Sequence, residues 1–395
     1  MPRLFRITAQ RIAMPALVIA ALAAITAGAR AEDTIKIGLL VPYSGQFADL
    51  GEKMDHGARL WMKLHGTPVA GKKIEVIARD ANGVNPEQTK RLAQELITRD
   101  KVNFLAGFGL TPDALATAPL GTAAKMPMVI MNAATGYLIK KSPYFVRVSF
   151  TLAQLETPFG TWVAKSGIKK VYIAISDYAP GYEAEAAFKK SFTAAGGEIV
   201  GEVRVPLKNL EMAPYVQRIK DAHPEGVFVF MPTGQLPLNF VRQFIQLGLK
   251  DAGVKLLGAS EIIDDTVIRT LGDAVLGAYS VQNYAYTHPG KVNAAYVKAY
   301  EAAYKTHPDF LSVGAYDGMN AIYQVIAKLH GSIEPDKAMA AFKGLKLDSP
   351  RGPVEIDPAT REPIENVYVR KVEKIDGKIV NHEIAGFTGV KVPSP

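Results

Sequence analysis

Residues able to do chemistry gather in this sequence at one kind of place, the first positions after each apolar run. Tyr43, Ser44, Gly45 and Phe47 follow "IKIGLLV". Phe108, Gly109, Leu110, Thr111 and Pro112 follow "VNFLAG", and Asn132, Ala133, Ala134, Thr135 and Tyr137 follow "PMVIM". Further along come Asp177, Tyr178, Pro180 and Tyr182, then Thr233, Gly234 and Gln235, then Ser260 and Glu261. Small hydroxyls, glycines or alanines, and aromatics recur in each group. That chemistry is one of holding. Hydroxyls and bare backbone N–H groups bind a carboxylate without an arginine. Phe47, Phe108, Tyr178 and Tyr182 would wall an apolar body. Thr111 before Pro112 reads as an N-cap and a first-turn proline, which brings the positive end of a helix dipole to that point. Taken singly, Ser44, Thr111 and Thr135 are also ordinary caps or turn residues, and each aromatic is also an ordinary core residue.

Bond-making signatures are missing. No G-x-G-x-x-G follows the first apolar run, and there is neither a P-loop nor an H-E-x-x-H. Gly258-Ala259-Ser260-Glu261-Ile262 approaches a nucleophile elbow but lacks its closing glycine. The seven histidines are scattered, and no two have metal-ligand spacing. A hydrolase would need nucleophile, base and oxyanion donors in one cleft, and no such set is offered. No enzyme activity, cofactor or metal is therefore expected.

The elements that must position these groups alternate in type. "IKIGLLV", "KKIEVIARD", "VNFLAGF" and "PMVIM" are strand-like. Between them, "GEKMDHGARLWMKLHG", "NPEQTKRLAQELITRD" and "TPDALATAPLGTAA" carry helical spacing, with Asn85 and Pro86 marking a helix start. A second series runs from "KKVYIAIS" to "VKLLGAS". Short buried strands alternating with helices predict parallel sheets covered on both faces, in two doubly wound α/β lobes meeting near 144–150. In such sheets the ligand crevice lies beyond the carboxyl ends of the strands, where the groups above sit. Two long helices over 291–306 and 312–330 and a hairpin turning at Asp376-Gly377 close the chain. The expected division is 32–149 with 286–345 in one lobe, and 150–285 with 346–395 in the other.

Arg3, Arg6 and Arg11, the apolar "IAMPALVIAALAAITAG" and Ala29-Arg30-Ala31 predict an export leader over residues 1–31, cleaved after Ala31. Without its four arginines the formal charge falls from +8 to +4. No basic block remains to follow a phosphate backbone, so nucleic acid is not an expected partner. The chain contains no cysteine, so its stability must come from cores rather than cross-links. With 395 residues a large core is available.

Five stretches in order, "IKIGLLVPYSGQFADLGEKMDHGARL", "LAGFGLTPDALATAPL", "VIMNAATGYL", "AISDYAPGYEAEAAFKKSFTAAGGEIVGE" and "DSPRGPVEIDPATREPIENVYV", resemble the periplasmic branched-chain amino-acid-binding family. These are the type I substrate-binding proteins of ABC importers. The likeness covers roughly residues 34–386. It implies two Rossmann-like lobes joined by three hinge crossings, with ligand in the cleft. It implies that Leu110, Thr111, Ala133, Ala134 and Thr135 hold the ligand carboxylate and that Phe47 contacts the ligand body. The loops at Tyr178 and Tyr182, at Thr233 to Gln235, and at Ser260 and Glu261 would close from the second lobe. It also implies a monomer that hands a small carboxylate to the permease subunits of an importer.

The chain departs from the amino-acid binders of that family. "DYAPGY" places its aromatics differently, "GASEII" lacks the glycine-proline-glutamate pattern of leucine binders, and the early cysteine pair is absent. Richness in Tyr and Phe resembles relatives that take aromatic carboxylates such as benzoates or phenylpropanoid acids. A branched-chain amino acid is the alternative ligand.

Overall fold

The computed structural model describes residues 1–2, 34–208 and 210–393. The expected leader and its cleavage point lie outside the described residues. In chain order, β1 (Thr34–Val41), α1 (Ala48–His65), β2 (Pro68–Val69), β3 (Lys72–Asp80), α2 (Pro86–Thr98), β4 (Phe104–Gly107), α3 (Thr111–Ala123), β5 (Met128–Ile130) and β6 (Phe145–Arg147) form the first sheet and its helices. The strand order is β2-β3-β1-β4-β5-β6. All pairs are parallel except β2 with β3. β1 is buried without a break from Ile37 to Val41, as a central parallel strand must be. The Asn85 side chain accepts from the Gln88 N–H at the start of α2, as the Asn-Pro pair anticipated.

The second sheet follows. α4 (Leu152–Lys165), β7 (Lys170–Ser176), α5 (Ala179–Ala194), β8 (Glu198–Val205), α6 (Ala213–Asp221), β9 (Gly226–Phe230), α7 (Gln235–Gln246), β10 (Lys255–Ala259), α8 (Asp265–Leu271) and β11 (Tyr279–Gln282) alternate, the run from β7 to β10 as expected. Then α9 (Lys291–Tyr304), α10 (Phe310–Lys328) and α11 (Pro335–Phe342) pass back, and α9 and α10 pack on α1. β12 (Lys346–Ser349), β13 (Gly352–Ile356), β14 (Pro363–Ile375) and β15 (Lys378–Val390) complete the sheet, ordered β12-β13-β14-β11-β10-β9-β7-β8 with β15 on β14. β14 runs antiparallel to β11, so the sheet is mixed rather than purely parallel. The hairpin turns in two residues, Ile375 pairing with Lys378, with Asp376 and Gly377 both at positive φ.

The chain passes between the sheets after β6, after β11 and before β12. One side chain ties all three passages. Buried Arg351 donates from Nε to Asp317 (2.9 Å), from Nη1 to the Ser149 carbonyl (3.0 Å) and to Glu365, and from Nη2 to the Val148 carbonyl. Glu365 accepts in turn from Asn283 Nδ2 at 2.9 Å. A buried cation with these acceptors is paired and hydrogen-bonded at every nitrogen, the condition under which it is tolerated.

The structure adds elements that the sequence pattern hid. α4 is unanticipated, and it carries Pro158 and Gly160 inside it. It forms because Thr151 and Gln154 make a reciprocal capping box and because Gly160 allows close packing on α5. A Cβ at Gly160 would stand 2.2 Å from Ser191 Oγ. α11 and β12 were likewise not anticipated, and α1 starts at Ala48, three residues before the expected glycine.

Candidate functional site

The carboxyl ends of both sheets face one narrow cavity of about 20 Å³, lined by Leu50, Gly109, Leu110, Thr111, Asn132, Ala133, Ala134, Phe150, Tyr178, Pro180, Phe230, Pro232, Thr233 and Glu261. On the first-lobe side the loop after β4 leads into α3. The cap of α3 is Leu110 rather than Thr111, and it has no side-chain capping bond. Thr111 is instead the first helical residue, so the cap lies one position before the expected one. This helix start, not satisfied by a cap side chain, borders the cavity through Leu110 and Thr111 and brings the positive dipole end to it. Thr111 Oγ1 lies 3.1 Å from Thr135 Oγ1, which joins the loops after β4 and β5. Asn132 Nδ2 donates to the Gly109 carbonyl at 2.8 Å, whereas its Oδ1 is buried without a hydrogen-bond partner among the described residues. The Ala133 N–H is already donated to the Phe108 carbonyl at 2.9 Å.

The second-lobe side supplies rings and two more polar atoms. Tyr178 stacks on Phe230 with centroids 6.2 Å apart and planes 13° from parallel. Burial and the nearby Glu261 push the Tyr178 hydroxyl well above its ordinary value, so it stays a neutral donor. Thr233 Oγ1 and Glu261 Oε2 are buried without a partner among the described residues. Burial pushes Glu261 up to about 7, with Arg370 opposing. Unpaired buried polar atoms are costly. Three of them, from three loops on two lobes, converge on this cavity.

Of the residues singled out at the strand ends, Gly109, Leu110, Thr111, Asn132, Ala133, Ala134, Tyr178, Pro180, Thr233 and Glu261 line the cavity. Thr135 stands behind Thr111, and its carbonyl accepts from buried Arg147 at 2.7 Å. Phe108 is core, with its ring edge-on to Phe145 at 5.8 Å. Phe47, expected to wall the ligand, is only 1% exposed and lies in the core cluster. Gly45 starts a 3₁₀ turn that carries Phe47 inward. Ser44 donates to Asn82 at 3.0 Å and so serves the turn. Tyr182 points outward, 43% exposed, bonded to Asp177 and covered by Arg204. Gln235, first residue of α7, is exposed. Ser260 begins a 3₁₀ turn, and its side chain lies outside what the structure describes. The sequence reading missed Leu50, Phe150, Phe230 and Pro232. Phe230 and Pro232 flank the end of β9 and could have been found by the rule that located Thr233. Phe150 precedes the unanticipated α4.

Direct contacts hold the two lobes together beside the cavity. Gln46 Nε2 donates to the Leu207 carbonyl at 3.2 Å, and the Gly136 N–H to Glu183 at 2.7 Å. Lys53 of α1 reaches Asp264 beyond β10 at 3.4 Å, as well as Asp49 at 2.7 Å and Asp309 at 3.2 Å. Gly234, at φ 140°, passes so near the other lobe that a Cβ there would meet the Gln46 carbonyl at 2.5 Å. Two lobes meeting over a cavity can bind by closure.

Comparison with known proteins agrees with this architecture. A family model described as periplasmic binding protein matches residues 34–378. The Leu/Ile/Val-binding protein homolog 6 of Brucella melitensis is 42% identical over 381 residues, covering 96% of this chain and 97% of that protein. A solute-binding protein of an ABC transporter from Rhodopseudomonas palustris BisB5, solved with 3,4-dihydroxybenzoic acid, is 50% identical with a TM-score of 0.89. The match covers 92% of this chain and 99% of that one. A counterpart from R. palustris HaA2, solved with p-hydroxybenzoic acid, is 44% identical with a TM-score of 0.88, covering 91% and 98%. With its fold, its interlobe cavity and a family match across nearly the whole described chain, this protein belongs to the periplasmic binding protein family.

Proposed function

We propose that this protein binds an aromatic carboxylate of the benzoate type between its lobes and presents it to the permease subunits of an ABC importer. The observation that carries the reading is the build of the cavity. An uncapped helix start at Thr111 faces one side, and Tyr178, Phe230 and Phe150 supply flat apolar walls. A planar ring with one carboxylate matches both parts: the anion takes the helix N–H groups, and the ring takes the aromatic walls. The two R. palustris proteins similar to this chain were solved with hydroxybenzoates, which supports the same class.

No bond is made or broken in this role. Ligand touching both lobes stabilises the closed form and shifts the population toward it. The chain is exported through residues 1–31, cleaved after Ala31, and works as a monomer. Leu110, Thr111, Ala133 and Ala134 form the carboxylate side, and Tyr178, Thr233 and Glu261 the closing side.

Calorimetric titration of the mature chain with benzoate, hydroxybenzoates, leucine, isoleucine and valine tests the reading. Aromatic acids are expected to bind and to raise the melting temperature, with about 2.7 kcal/mol of added stability at a hundred times Kd. Binding of the branched-chain amino acids with no response to any aromatic acid would replace this reading by its alternative.

A further inference from the structure

Glu156 lies on α4, outside every group of residues singled out in the sequence. It is fully buried, and neither of its carboxyl oxygens has a hydrogen-bond partner among the described residues. α4 packs on α5 and β11, on the sheet face that carries Phe230, Ala259 and Val281. Phe230 and Glu261 themselves line the cavity, and Glu261 also keeps one oxygen unpaired. Two buried carboxyls with unpaired oxygens thus stand near one another, Glu261 lining the second-lobe part of the cavity and Glu156 behind it on α4, where the Glu261 charge reaches it.

Such a pair is poorly suited to the ligand's own carboxylate. Any ionised fraction of it repels an anion, and the carboxylate has the α3 helix start available instead. A hydroxyl fits, because it donates to one carboxylate oxygen and accepts from a protonated carboxyl. An apolar ring edge would leave the unpaired oxygens unsatisfied.

We propose that Glu156 and Glu261 act as a carboxyl pair that reads a hydroxyl on the ligand ring, at the end away from the ligand carboxylate. The inference rests on the aromatic-carboxylate reading above and narrows it to ring-hydroxylated acids. Glu261 contacts the hydroxyl. Glu156 stands behind as a positioning residue that keeps a proton in the pair. Burial together with the Glu261 charge raises Glu156 well above the usual carboxyl range, which suits that part.

The test measures Kd for benzoate, 3-hydroxybenzoate and 4-hydroxybenzoate with the mature wild type, Glu261→Gln and Glu156→Gln, folding being checked by melting temperature. Wild type is expected to prefer one of the hydroxylated acids over benzoate by about tenfold or more. Glu261→Gln is expected to shrink that ratio. Glu156→Gln is expected to shrink it less, and Glu156→Asp to restore part of it. A wild type that binds benzoate as tightly as both hydroxylated acids overturns the inference and leaves the aromatic-carboxylate reading standing. So does a hydroxyl preference unchanged in both glutamine variants. If amino acids bind and none of the three aromatic acids does, the parent reading falls and this one with it.

Discussion

Lys53 Nζ lies 3.4 Å from Asp264 Oδ2, an ion pair between a helix on the first sheet and the turn beyond β10 on the second. Asp309 and Asp49 complete a cluster of three acids around one amine. Burial alone would favour the neutral amine, but the surrounding acids outweigh it and raise Lys53 well above its ordinary value. Because Lys53 and Asp264 stand on different lobes, the pair is expected to favour the closed arrangement.

Replacing the amine therefore leaves buried acids facing one another. Lys53→Met is expected to lower stability by about 3 kcal/mol and to raise the ligand Kd about tenfold, since a smaller closed fraction weakens apparent affinity in proportion. Denaturant unfolding and calorimetric titration measure the two effects. An unchanged Kd would show that the cluster is not linked to closure.

Arg351 joins the three passages between the lobes through Asp317, Glu365 and the carbonyls of Val148 and Ser149. Arg351→Met removes the only charge that balances those two acids within this network. The expected loss is about 3–5 kcal/mol, of the size seen when one partner of a buried pair is deleted. Retention of wild-type stability would mean that the hinge is held by its strands alone.

Phe47 is buried against core residues and does not line the cavity. Phe47→Ala is expected to cost about 3–5 kcal/mol in the ligand-free protein, the usual range for a buried Phe. Thermal unfolding without ligand decides the point. A variant as stable as wild type but deficient in binding would return this ring to the ligand site.

Glu261 is raised from 4.5 to about 7, chiefly by burial. The folded state then holds its proton more tightly than the unfolded chain. Its contribution is fully present below pH 4.5 and is lost as pH rises through about 7. The ligand-free melting temperature is expected to fall between pH 5 and pH 8, and to fall less in Glu261→Gln. The difference between the two proteins is on the order of 3 kcal/mol at most. Parallel melting curves for both proteins across that range would contradict it.

Much of the molecule is legible in the sequence because its rules are local. The burial of "IKIGLLV", the cap at Asn85 and the two-residue turn at Asp376-Gly377 follow from side-chain type and backbone preference alone. The strand ends carry the cavity because that is where parallel sheets open, so Leu110, Thr111, Ala133, Ala134, Tyr178, Thr233 and Glu261 were within reach of reading. Tertiary structure decided which way neighbouring side chains turn. Phe47 goes inward because a 3₁₀ turn follows Ser44, and Tyr182 goes outward because a helical residue four positions on from Tyr178 finds Asp177 and Arg204 instead of the cavity. Glu156 was illegible for another reason. A lone glutamate beside Pro158 and Gly160 looks like a polar loop residue, and only the packing of α4 on α5 and the second sheet buries it near Glu261.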